Sequence, residues 1–296
     1  MGQDDIPGRR NARAIARRGA SPTPADLALT VRDRRFKRNP AHLRWWLAGD
    51  PVASAWFAVL SATFPKGEIY FVESVKAFRE GAPPRLADAI RAFVAQEINH
   101  TREHLALNNA MREAGYDLGL TEANVDRRLG MAKAQSAIEN LAATAALEHF
   151  TAIIAHELLA NPAYLAGGDA QIAALWRWHA IEEIEHKGVA YDVWLHATRD
   201  WSRWQRWRVK TVTMLTISIR FIVRRCQETL DLLAQDGLTG WRIKLRLFNY
   251  LMRRPGILRQ VFPVWLAWFR PGFHPWKIDD RALVASTERQ FPASPR

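Results

Sequence analysis

QEINH at 96–100 and EEIEH at 182–186 share one spacing, a glutamate followed three residues later by a histidine. On an α-helix, positions three apart lie on one face about a turn apart, so each pair aims a carboxylate and an imidazole at one point. Each pair follows a lone glutamate, Glu68 in the first case and Glu148 in ALEHF (146–150) in the second. Glu68, then Glu97 with His100, then Glu148, then Glu183 with His186 is the donor set of a dinuclear carboxylate centre inside a four-helix bundle. The reading is therefore an all-α, ferritin-like four-helix bundle with additional C-terminal helices.

Working outward, His179 stands one turn before Glu183, giving His-x-x-x-Glu-x-x-His, and His104 stands one turn after His100. A carboxylate flanked by two imidazoles on one helix predicts three ligands to one ion, with Glu68 and Glu148 bridging or terminal. The expected metal set is thus Glu68, Glu97, His100, Glu148, His179, Glu183 and His186. Mixed oxygen and nitrogen donors without thiolates suit two ions of iron or manganese rather than structural zinc. Glutamate and histidine on helices are most often solvated. Glu148, however, sits in the largely apolar NLAATAALEHFTAII, and Glu97 follows Ile90, Phe93 and Val94. A carboxylate in such a setting is costly without a partner. Around the ligands, Glu182 is placed to receive a ring N–H from the facing helix, with Gln96 in the equivalent position. Asp192 is another candidate partner for a ligand histidine. His104 reads as a proton relay before an extra ligand or a polar residue at the bundle end. His149 and His156 stay unassigned.

Helical periodicity runs from about Pro40 to Asp192. Expected helices are Pro51–Leu60, Gly67–Arg79, Arg85–Ala114 closed by Gly115, Ala132–Ala160, and Ala170–His196 after the Gly167-Gly168-Asp169 loop. Three regions follow: a basic arm at 1–25, a metal-binding bundle at 40–198, and a Trp/Arg-rich annex at 199–296 packed on the bundle. The annex contains an apolar stretch at 209–223, a helix near Trp241–Met252 and an aromatic run at Phe262–Phe269. The stretch at 209–223 is shorter than the roughly 20 apolar residues that a spanning helix requires.

Charge and cysteine usage limit the alternatives. The 296 residues carry 42 Lys and Arg against 30 Asp and Glu, a net charge of +12. A lone cysteine, Cys226, leaves no internal disulfide and no cysteine metal cluster. Arg9, Arg10, Arg13, Arg17 and Arg18 have no apolar run behind them, so a cytoplasmic protein is expected. Trp194, Trp201, Trp204 and Trp207 interleave with Arg199, Arg203, Arg206 and Arg208. Two readings of this cluster stand: contact with an anionic membrane at the inner leaflet, or packing of the annex and a homodimer face. Nucleic acid is not an expected partner, since no recognition motif accompanies the charge.

FPKGEIYF (64–71), QEINHTREH (96–104), LEHFTA (147–152), WHAIEEIEHKGVAYDV (178–193) and PGFHPW (271–276) together resemble the bacterial family of predicted metal-dependent hydrolases, over nearly all of the chain after about residue 30. The order of the seven donors is also similar to that of p-aminobenzoate N-oxygenase, a ferritin-like di-iron enzyme. This second resemblance implies the ligand roles of Glu68, Glu97, His100, Glu148, His179, Glu183 and His186, but no substrate. The expected function is an oxygen-dependent oxidase or oxygenase acting on a small apolar or aromatic substrate. A two-metal hydrolase is the alternative, and metal storage or sensing the second alternative.

Overall fold

The computed structural model describes residues 22–291, in which every regular element is helical apart from one bridge between Leu47 and Gly168. The expected all-α class holds. The arm at 1–25 lies outside the described residues except for its last four. Four long helices carry the centre: α1 (Pro51–Lys76), α2 (Pro84–Glu113), α4 (Ala137–Ala160) and α5 (Ala170–His186), with α3 (Gly119–Ala132) between α2 and α4. They close a ring in which α1 packs on α2, α2 on α5, α5 on α4, and α4 on α1.

Local chemistry sets the helix starts. Asp50 caps α1 by accepting from Val52 N (2.8 Å) and Ala53 N (3.3 Å), and Pro51 occupies the first turn, where no N–H is needed. Ser136 and Glu139 form a reciprocal capping box at α4. Asp169 caps α5 through Gln171 N and Ile172 N.

Three expected boundaries are corrected. Pro51–Leu60 and Gly67–Arg79 are one helix, α1, which passes through Pro65. A proline inside a helix leaves the carbonyl four residues back without a donor. Here Asn108 on α2 supplies it, Nδ2 donating to Ser61 O at 3.2 Å. Ala132–Ala160 begins at Ala137 instead, because the Ser136 capping box starts it there, and the unforeseen α3 precedes it. Ala170–His196 divides at Lys187-Gly188 into α5 and α6 (Val189–Ala197). A Cβ at Gly188 would stand 2.6 Å from Trp276 Cδ1, so this glycine admits the PGFHPW segment against the helix junction.

Beyond the bundle run α7 (Arg203–Gln235), α8 (Trp241–Met252), α9 (Ile257–Ala267) and α10 (Arg281–Glu288). Helix α8 has the expected bounds, and the 209–223 stretch is the middle of the much longer α7. Leu232, Leu233, Ile243, Leu247, Leu251 and Val261 join the main core with Phe57, Trp176 and Ile181 of the bundle. No helix among the described residues is long and apolar enough to cross a membrane. Three tryptophans of the cluster sit in different surroundings. Trp194 is buried, Trp207 donates its Nε1 to Phe269 O at 2.7 Å, and Trp204 is exposed and stacked on Trp207.

Candidate metal centre

Helical spacing brings the expected donors to one place in the middle of the bundle. Glu68 comes from α1, Glu97 and His100 from α2, Glu148 from α4, and His179, Glu183 and His186 from α5. None is more than 4% exposed. Four overlapping groups have donor atoms within 4.8 Å of one another: Glu97, Glu148 and His186; His100, His179 and Glu183; Glu68, Glu97 and His100; and Glu68, His104 and His179. The first two share no residue, and Glu68 joins partners from both. This arrangement suits two ions.

Within the cluster, His186 Nε2 lies 3.4 Å from Glu97 Oε1, 3.5 Å from Glu148 Oε2 and 3.4 Å from Glu183 Oε1. His179 Nε2 is 3.0 Å from the same Glu183 oxygen. His100 Nδ1 is 3.9 Å from Glu97 Oε2 and from Glu183 Oε1. The triplet on α5 thus gathers at Glu183, with an imidazole nitrogen on either side of its Oε1. His179 and His186 fall in different groups with Glu183 between them, because seven residues span about 10 Å of helix.

Burial and mutual repulsion govern the electrostatics. Burial, with Glu183 and Glu148 nearby, pushes the Glu68 carboxyl well above the usual range. Burial and the Glu148, Glu68 and Glu183 charges do the same to Glu97. Glu148 is raised to about 8, chiefly by burial. Burial also acts on Glu183, but His186 and His179 outweigh it and hold that carboxyl well below the usual range. His186 in turn is raised to about 9, because Glu148 and Glu183 outweigh its burial. Several carboxylates aimed at one point can all ionise only beside a cation.

The side chains present fit such a cation. Both oxygens of Glu97, both of Glu148 and Oε1 of Glu68 are buried without a hydrogen-bond donor among the described residues. Orphaned buried acceptors on this scale are rare in folded proteins. The donors are oxygen and imidazole nitrogen alone, a set that can hold a metal ion without thiolates.

A polar shell surrounds the cluster. Glu182 Oε2 lies 3.0 Å from His100 Nε2, and its Oε1 accepts the Arg32 backbone N–H at 2.9 Å. Glu182 is raised to about 7, by burial working against that N–H. Thr101 Oγ1 donates to Glu68 Oε2 at 2.9 Å. His104 faces Ser61 Oγ with Nδ1 and His179 Nδ1 with Nε2, both at 2.9 Å. Asp192 is elsewhere: its carboxylate meets His274 Nε2 at 3.0 Å and Thr23 Oγ1 at 2.6 Å. The expectation that Asp192 partners a ligand histidine is corrected, since the break at Gly188 carries it to the PGFHPW segment. His149 stacks on Trp268, and His156 pairs with Asp280.

Sequence reasoning missed Arg32 and Glu185. The Arg32 guanidinium grips Glu185 with two bonds (2.9 and 2.7 Å) and Glu288 with a third (2.8 Å). Gln96 Nε2 donates to the same Glu185 at 3.0 Å. Arg32 lies outside any helix, in a segment without periodicity, so nothing in the sequence connects it to α5.

The all-helical fold and the buried carboxylate and imidazole cluster define a helical protein of metal-dependent type. The family model described as "Predicted metal-dependent hydrolase" matches residues 30–279, and the chain belongs to that family. No curated protein and no solved structure matches it.

Proposed function

We propose that this chain is a two-metal enzyme of ferritin-like architecture that holds iron or manganese and acts on a small apolar substrate. Glu68, Glu97, His100, Glu148, His179, Glu183 and His186 are the proposed ligands. The observation that carries the reading is the set of buried carboxylate oxygens without donors where four helices meet. Bound there, two such ions supply Lewis acidity and an activated water or, as iron, electrons for reaction with oxygen. The protein's own part is to orient donors and exclude water. Thr101 fixes one oxygen of Glu68, and Glu182 Oε2 stands 3.0 Å from the far nitrogen of His100.

The family description supports hydrolysis better than the oxygen-dependent oxidation that the donor order leads us to expect, so hydrolysis is the first reading. Oxygen-dependent oxidation stays as a second reading because of one observation. The pocket that reaches His179 and Glu183 has a volume of about 30 Å³ and is walled mainly by Phe57, Leu60, Phe64, Ile154, Leu158 and Phe221. Such a space holds roughly one water-sized group, which suits a diatomic gas between apolar walls. Purified protein loaded with Fe(II) or Mn(II) is the test, assayed for turnover of carboxyl and phosphoryl esters without oxygen and for oxygen uptake with apolar substrates. Anaerobic turnover supports hydrolysis, and oxygen uptake coupled to product supports oxidation. Reversible metal binding with neither activity indicates storage or sensing, and fewer than one ion per chain refutes the whole reading.

We also propose a cytoplasmic enzyme that docks on an anionic membrane surface. On α7, Trp204, Val212, Leu215, Ile219 and Val223 follow helical spacing and are 40–66% exposed. On α8, Trp241, Leu245, Phe248 and Met252 form a second stripe, 37–69% exposed, opposite Ile243, Leu247 and Leu251 in the core. Trp265 Nε1 donates to Ser218 Oγ at 2.8 Å, which ties α9, with exposed Phe262 and Leu266, to the α7 stripe. Residues 203–267 hold thirteen Lys and Arg against three acids. A homodimer through this face would oppose like charges, whereas an anionic leaflet attracts them and accepts the apolar stripes. Co-sedimentation with phosphatidylserine vesicles tests this. Binding at low salt, lost in Ile219→Glu/Phe248→Glu, is expected. No binding, or a dimer dispersed by the same substitutions, overturns it.

A further inference from the structure

A second cavity, of about 980 Å³, lies outside the metal centre, and none of the proposed ligands lines it. Sites for small molecules run from about 300 to 1,000 Å³. Its walls come from segment 22–29, the start of α2, helix α6 and the start of α7. Leu27, Leu29, Leu86, Ala89, Val189 and Leu195 give it an alkyl lining. The acids on the wall are already engaged. Arg32 grips Glu185, Asp88 pairs with Arg91, and Asp192 accepts from Thr23 at 2.6 Å and meets His274 Nε2 at 3.0 Å. The arginines on the wall are not. Arg85 donates to the backbone carbonyl of Pro24, which leaves its charge without a counter-ion among the described residues. For Arg199 the acid at hand is Asp200, 3.9 Å away and 89% exposed. Arg206 is half-buried and has no hydrogen bond or ion pair among the described residues.

These charges gather at one end. Gln96 of α2 meets Glu185 near the end of α5, and α2 packs on α6, so α2 and α6 run in opposite directions along the cavity. Arg85 at the start of α2 therefore stands near Arg199 and Arg206, which follow the end of α6. Helix α2 also begins without a side-chain cap, which leaves its first N–H groups, those of Arg85 and Leu86, open to an acceptor. Ala89 and Ala92 lie one and two turns further in, and Glu185 stands at the far end, held by Arg32 and Gln96. We propose that this cavity binds a single-chain amphipathic anion. Its alkyl chain lies against the leucines, Ala89 and Val189, and its terminal carboxylate or phosphate meets Arg85, Arg199 and Arg206. A sugar or nucleotide does not fit this lining, because the polar side chains between the alkyl groups, Thr23 and Asp192, are bonded to each other. The site is separate from the metal centre, and the proposal stands whether or not the ligand assignment does.

The test is isothermal titration calorimetry of the full chain with dodecanoate, kept below the concentration at which it forms micelles. Saturable binding of one molecule per chain is expected. Decanoate, two methylenes shorter, should bind roughly tenfold more weakly. Dodecanol, which lacks the anion, and acetate, which lacks the chain, should each lose at least as much. Dodecyl phosphate forms a parallel arm: saturable binding of either anion supports the proposal, and the tighter one names the headgroup. Arg206→Gln should weaken binding roughly tenfold, the loss of one charge-assisted hydrogen bond. Ala89→Phe, which fills the alkyl wall, should remove binding. Should Ala89→Phe fail to fold, Leu27→Glu reports the same wall from segment 22–29 by placing a like charge on it. Binding should persist in Glu148→Gln and in Ile219→Glu/Phe248→Glu. Its loss in the first would place the molecule at the metals, and its loss in the second would place it on the exposed stripes of α7 and α8; either overturns the proposal. Absence of saturable binding overturns it too, as does dodecanol binding as tightly as dodecanoate, or affinity unchanged in both Arg206→Gln and the wall variant.

Discussion

Replacing Arg32 with Met should destabilise this protein severely while leaving its metal content nearly intact. The Arg32 guanidinium is buried and makes two bonds to Glu185, itself only 7% exposed. Removing it leaves Glu185 with Gln96 Nε2 at 3.0 Å and the Thr30 N–H at 3.3 Å as donors but without a compensating charge. Breaking one half of a buried ion pair costs about 3–5 kcal/mol. The third bond, to Glu288, adds about 0–1 kcal/mol, since that carboxylate is 42% exposed and rehydrates. For a chain of this size the loss corresponds to a fall in melting temperature of roughly 6–20 °C. Glu182 accepts from the Arg32 backbone N–H, which the substitution keeps, so its position beside His100 should persist. Thermal unfolding of Arg32→Met, Glu185→Met and the double variant forms the assay. Both singles should fall sharply and the double variant should recover much of the loss, because a well-packed apolar pair replaces a buried ion pair at little cost. A shift under 2 °C in Arg32→Met, or a double variant worse than either single, would refute the reasoning.

Four further outcomes are expected. Glu148→Gln removes a carboxylate whose two oxygens have no donor of their own, and should lower iron or manganese to at most one ion per chain by elemental analysis, with the helical circular dichroism retained. Metal-free protein should lose stability as pH rises from about 6.5 to 8. In that window the folded chain still holds protons on Glu148 (about 8) and His186 (about 9), which the unfolded chain has released, and burial raises Glu68 and Glu97 in the same direction. His100 and His104, lowered by burial and by His179, act only below the unfolded histidine value of ~6.5. Melting temperatures across that range, with and without Mn(II), should show a downward slope that the metal removes, and a flat metal-free profile would count against the carboxylate cluster. Gly188→Ala places a Cβ 2.6 Å from Trp276 Cδ1 and should cost about 1–3 kcal/mol. Gly130→Ala, in α3 with nothing within 4 Å, should stabilise by about 0.4–1 kcal/mol in the same melting assay.

The donors were legible because ligand spacing is a local property. Glu-x-x-His on a helix converges whatever packs around it, and the seven positions named from sequence meet in one buried cluster. Helix α8 was legible for a similar reason, its Gly240 start and alternating apolar stripes being short-range signals. Pro65 misled because its cost as a helix breaker is offset by Asn108, 43 residues away, which no local reading contains. Lys187-Gly188 looked continuous because the break depends on Trp276 seated against Gly188. Asp192 was misplaced as a result, since a helix drawn through the junction turns it toward the ligands. The two readings of the four tryptophans could not be separated in the sequence, because proximity along the chain does not tell buried Trp194 from exposed Trp204.

The proposed ligands all project from helix interiors, apart from His186 at the end of α5, and almost none of their surface reaches solvent. No ligand is carried on a loop that could swing aside. An ion held there can leave only when two of the four helices part, so its residence time is set by the opening rate of the bundle rather than by the strength of its bonds. A chelator in solution would then strip the metal at a rate independent of chelator concentration. Loading would be fastest while the chain folds, and the two ions would behave less like a replaceable cofactor than like rivets set during assembly.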